Sequence, residues 1–117
     1  MSPEHFFDLD VPRGVSMMGS EASLRKILKT VQGSMAGNLP EIAQALAIDD
    51  VASANRLLHA IKGYVPIFAS DALVAQVTEL EMISKTEPVT TVAPLYAELA
   101  PRMEALLGEI RRFLAQS

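Results

Sequence analysis

Ala54-Asn55-Arg56-Leu57-Leu58-His59-Ala60-Ile61-Lys62-Gly63-Tyr64-Val65 is the stretch on which the fold of this 117-residue chain turns. Its apolar residues Ala54, Leu57, Leu58, Ile61 and Val65 recur every three or four positions, the period of an α-helix. On a wheel at about 100° per residue with Ala54 at zero, the other four lie within about 60° of it, while Asn55, His59, Lys62 and Gly63 lie between about 80° and 180°. Such a helix buries one face and presents His59 on the other. Asp49 and Asp50 read as the turn and N-cap that start it. Pro66 is expected to bend or end it, because proline brings no amide hydrogen to the helix ladder.

The same period extends on both sides. Leu24, Ile27, Leu28, Val31 and Met35 form a stripe that Ser20 can cap and Glu21 suits electrostatically, and Leu39, Ile42, Ala43 and Leu46 continue it past Gly37 and Pro40. That segment is either one kinked helix or two stacked ones. Downstream, Ser70 can cap a helix carrying Leu73, Val77, Leu80 and Ile83 that stops before Glu87 and Pro88. Leu95, Leu99, Met103, Leu106, Ile110 and Phe113 mark a last helix, with Arg111 and Arg112 at its C-terminal end, where cations oppose the dipole. Residues 1–19 carry two prolines and two glycines without a sustained period, and read as an arm with at most one short helix. The expectation is an all-α fold: an antiparallel up-down four-helix bundle over residues 20–117 behind that arm.

Composition narrows the function. Without cysteine there is no disulfide, thiolate metal cluster or thiol nucleophile. The formal net charge of −4, with Lys and Arg dispersed, argues against a nucleic-acid partner. The acidic N-terminus lacks the basic start of a secretory signal, and no uninterrupted apolar run approaches membrane-spanning length. A cytoplasmic chain that makes no membrane contact is expected.

Chemistry then falls to His59. An imidazole exchanges its proton near neutrality, so a solvent-facing histidine offers an unprotonated nitrogen as nucleophile to a phosphoryl group. Lys62, one turn on, is placed to meet the phosphoryl oxygens. Gly63 costs roughly 1 kcal/mol relative to alanine inside a helix, which points to the close approach of another surface. His5 has no second ligand nearby, so no metal site is expected. Glu79 and Glu81, two apart on a helix, face different ways and do not form an acid/base pair. Met17 and Met18 read as gap-filling side chains, and Tyr64, Ile67 and Phe68 as core packing at a helix bend.

Leu58-His59-Ala60-Ile61-Lys62-Gly63 resembles the His-x-Leu-Lys-Gly signature of the histidine-containing phosphotransfer (HPt) family, with Ile61 where leucine is usual. The similarity extends to Leu73, to Leu80-Glu81, and to the turn Ile48-Asp49-Asp50, where Asp49 stands in place of glycine. The resemblance implies a four-helix bundle that is a carrier more than an enzyme. It makes His59 the phosphoacceptor and Lys62 the phosphate-neighbouring cation, with partner docking around Asn55, Arg56, Gly63 and Pro66. It also implies a histidine kinase and a response-regulator receiver as partners, with magnesium on the receiver and no cofactor here. The bulky run Tyr64 to Phe68 departs from the family's small residues and bears on docking. A monomer is expected. Two rivals are a docking module that binds receivers or another signalling protein without phosphotransfer, and a structural or dimerising helical module, for which no surplus apolar stripe is visible.

Overall fold

A computed structural model describes residues 5–116. Five helices follow in order: α1 (Val11–Met18), α2 (Glu21–Ala47), α3 (Val51–Phe68), α4 (Asp71–Ile83) and α5 (Val89–Ala115). There are no strands among the described residues, only an isolated bridge between Leu9 and Ala69.

Side-chain caps set four of the five starts. Asp10 accepts from the Arg13 amide for α1, Ser20 from Ser23 for α2, Asp50 from Ser53 for α3 and Ser70 from Leu73 for α4. Each such cap contributes about 1 kcal/mol by satisfying an amide the helix leaves unpaired. Gly19, at φ +91°, ends α1 in the left-handed conformation that an L side chain resists. Asp49 adopts φ +60° immediately before the α3 cap, a conformation aspartate tolerates better than most residues.

Prolines do not break these helices. α2 runs unbroken through Pro40, so the segment is one helix, and its 27 residues span roughly 40 Å of the 47 Å long axis. α3 likewise passes through Pro66 and ends only at Phe68, two residues beyond the expected boundary. α5 contains both Pro94 and Pro101 and begins at Val89, earlier than its stripe from Leu95 suggests. Pro40, Pro94 and Pro101 are exposed, so water can satisfy the carbonyls that lose their amide partners.

The helices α2 to α5 pack in a closed ring: α2 touches α3 and α5, and α4 touches α3 and α5. Inside lies one core that includes Leu24, Leu28, Met35, Ile42, Leu58, Ile61, Phe68, Leu73, Leu99, Met103, Leu106 and Ile110, all fully buried. Ala43, read as part of the α2 stripe, is exposed while Ala45 is buried. An alanine carries too little area to decide which way a helix turns.

Within the described residues, the segment before Ser20 packs against the bundle. α1 rests on α2 and α3, and Gly14 is buried so close to Leu24 that an added Cβ would lie 2.6 Å from Leu24 Cδ1. Leu9 is buried, the Asp10 amide donates to the Phe68 carbonyl at 2.7 Å, and the Ser70 amide donates to the Asp8 carbonyl at 2.7 Å. These bonds hold the α3–α4 junction. α5 pins the same segment through Glu109, whose carboxylate accepts from the amides of Phe7 and Asp8, and through Arg102, which binds Asp8.

Candidate functional site

α3 places His59 on its solvent face because Ala54, Leu58, Ile61 and Val65 all turn into the core. The imidazole is 71% exposed. Across from it, α4 delivers Glu81, whose side chain is 1% exposed. His59 Nδ1 lies 3.4 Å from Glu81 Oε1, and Lys62 Nζ lies 3.4 Å from Glu81 Oε2. Lys85, just beyond the end of α4, brings Nζ to 3.5 Å from the same Oε1 that faces the histidine. One buried carboxylate thus holds an imidazole and two ammonium groups.

The charge on Glu81 follows from that company. Burial works against ionisation, but hydrogen bonds from Lys62 and His59, with the charges of Lys62 and Lys85, outweigh it and hold the carboxyl below its usual range. An ionised carboxylate only accepts hydrogen bonds, so His59 Nδ1 carries the ring proton in this contact. The lone pair then sits on Nε2. A carboxylate placed beside one imidazole nitrogen, leaving the other free to react, follows the logic of acid–base triads.

The remaining sequence-identified residues divide. Gly63 lies on the exposed side of α3, and a Cβ added there would meet nothing within 4 Å, so its small size serves no internal packing. Arg56 is exposed one turn before His59, its Nη2 donating to Ser53 Oγ at 2.7 Å. Asn55 faces inward: its amide donates to the Glu81 carbonyl at 3.1 Å and to Ser84 Oγ at 2.9 Å, tying α3 to the end of α4. It braces the site rather than presenting a donor to solvent. Pro66 is half-buried in the last turn of α3.

The bulky stretch packs internally. Tyr64 Oη donates to Asn38 Oδ1 at 3.2 Å and its ring stacks on the buried Phe68 at 6.4 Å, while Ile67 is half-buried against the core. Burial pushes the Tyr64 hydroxyl well above its ordinary value, so it remains a neutral donor. Glu79 and Glu81 do face different ways, the first exposed and the second buried.

Glu81 is the residue that sequence reasoning undervalued. It entered as part of a family-like Leu-Glu pair and as a rejected acid/base partner of Glu79, yet it stands four residues after Val77 and eight after Leu73, on the buried stripe of α4. A charged residue on a core stripe must have partners, because an unpaired buried charge is prohibitive.

No protein-family model matches the chain, and neither does any curated protein or solved structure. The site therefore rests on its own geometry.

Proposed function

We propose that this chain is a phosphorelay intermediate: an up-down four-helix bundle of the histidine phosphotransfer type that takes a phosphoryl group on Nε2 of His59 and exchanges it with the aspartate of a response-regulator receiver. The observation that carries the reading is the pairing of an exposed imidazole with a buried, ionised Glu81 on its Nδ1 side. The closed ring of four helices supports the bundle. The open surface at Gly63 supports close docking of a partner.

The chemistry balances without a cofactor on this chain. The Nε2 lone pair attacks phosphorus, the phosphorus–oxygen bond of the aspartyl phosphate breaks, and the aspartate leaves as a carboxylate. The imidazole keeps its Nδ1 proton and gains a positive charge, which Glu81 offsets at 3.4 Å. Lys62 meets the phosphoryl oxygens. In the reverse direction the same atoms return the group. The receiver supplies magnesium and its acidic pocket, and a histidine kinase is the upstream source, so the chain carries phosphate and catalyses nothing alone. A cytoplasmic monomer suits that role.

The test is phosphotransfer from a phosphorylated receiver with magnesium, comparing wild type with His59→Ala. Wild type is expected to gain acid-labile, base-stable phosphate and His59→Ala none, with unchanged helical circular dichroism. Folded wild type that binds receivers but takes no label would replace this reading with a docking module.

A further inference from the structure

We infer that Lys85 is a second cation for the phosphoryl group on His59, parked on Glu81 until the imidazole becomes charged; the inference rests on the relay reading above. His59 Nδ1 and Lys85 Nζ share Glu81 Oε1, at 3.4 and 3.5 Å, whereas Lys62 holds Oε2. Nothing fixes Lys85 more firmly than that long contact, and its side chain is 53% exposed. Its four-carbon stem and rotating ammonium allow it to change partners at small cost.

Phosphorylation changes the competition for that oxygen. Before it, the imidazole Nδ1 and a full ammonium charge share Oε1. Afterwards the ring is itself cationic and tightens on the carboxylate, while a dianionic phosphoryl group appears beside the site. Lys85 then has less to gain at Oε1 and more at the phosphoryl oxygens, where charge-assisted contacts are stronger. Local charge favours this exchange. Lys62 and Lys85 both meet Glu81 beside His59, two ammonium groups to one carboxylate, in a chain whose formal net charge is −4. The surplus of positive charge beside the imidazole is what a phosphoryl dianion requires. The sequence motif accounts for Lys62 but not for Lys85, which reaches the site from the end of another helix.

The experiment phosphorylates the full chain with phosphoramidate, a small-molecule donor that needs no docked receiver, and follows the phosphoryl signal by ³¹P NMR across its second ionisation. Lys85→Ala is expected to weaken the acidity of that ionisation about two- to fivefold, the scale of a partly exposed ion pair, and Lys85→Arg to restore it. High salt should narrow the difference. A label on His59 whose titration is identical in wild type and Lys85→Ala overturns the inference while leaving the relay intact. Urea unfolding run alongside identifies a merely structural lysine, which would lower stability without moving the phosphoryl titration. Failure of both phosphoramidate and phosphorylated receivers to label wild-type His59 overturns the relay reading and this inference together.

Discussion

Two carboxylates, each with a side chain 1% exposed, hold cations in this molecule, and they do so differently. Asp8 is gripped by the fork of Arg102, with Nε and Nη2 each donating at 2.9 Å to separate oxygens, and Ser70 Oγ adds a 2.7 Å bond. Glu81 is met at 3.4 to 3.5 Å by side chains that keep between 36% and 71% of their surface in solvent. Short forked bonds between half-buried partners fix geometry. Long contacts from flexible, solvated partners hold charge near a place without fixing it, which suits the phosphate exchange proposed above. The Asp8 cluster ties the N-terminal segment, the α3–α4 junction and α5 into one scaffold. The Glu81 cluster faces outward.

The contrast breaks most visibly at Arg102. Arg102→Ala leaves Asp8 buried with only Ser70 as side-chain partner, and should lower unfolding stability by about 3 kcal/mol in urea, with phosphotransfer intact wherever the chain remains folded. Acid sharpens the same point. Asp8 is buried, which raises its pKa, but Arg102 and Ser70 outweigh that and hold it below the ordinary carboxylate value. Its contribution is therefore complete above the unfolded value and lost as pH falls through the lower folded one. Wild type should lose stability steeply below about pH 4, and Arg102→Ala should show a shallower slope there. Equal acid sensitivity in both proteins would remove Asp8 from the scaffold.

Glu81→Gln should do the reverse. Phosphotransfer should slow by roughly ten- to hundredfold as the Nδ1 proton loses its charged acceptor, while stability stays within about 1 kcal/mol. A Glu81→Gln protein that transfers at the wild-type rate would reduce this carboxylate to a second structural anchor.

Gly63→Ala gives the smallest effect. Nothing within 4 Å obstructs a Cβ, so the substitution should stabilise α3 by about 0.5–1 kcal/mol. Transfer from a receiver should nonetheless slow severalfold while labelling by phosphoramidate is unchanged. Unaltered transfer from the receiver would move the docking surface away from Gly63.

Much of the fold is legible in residue order because helix caps and stripes are local. Ser20, Asp50 and Ser70 cap where their position before apolar periodicity places them, and His59 is exposed because Ala54, Leu58, Ile61 and Val65 turn the opposite face of α3 into the core. Prolines misled the boundaries. Pro66 reads as a bend or a stop, and α3 continues past it, since it costs one ladder bond in a turn that Phe68 anchors in the core. The candidate site was legible only on its α3 side. Asn55 appears outward on a wheel but turns its amide to Ser84 and the Glu81 carbonyl, since α4 fills the space beside it.

The sequence by itself determined the four long helical segments, the apolar face of each, and that His59, Lys62 and Gly63 share a solvent-facing side, because all of these follow from spacing along one helix. Only the tertiary structure decided that Glu81 meets His59 and brings Lys85 to the same oxygen, that Asp8 and Glu109 lock the N-terminal segment to α5, and that Asn55 is a brace. Each of those contacts joins residues at least 22 positions apart, or, for Lys85, reaches His59 only through a residue on another helix. Charges on a core stripe announce that partners exist; the packing of helices against one another selects which they are.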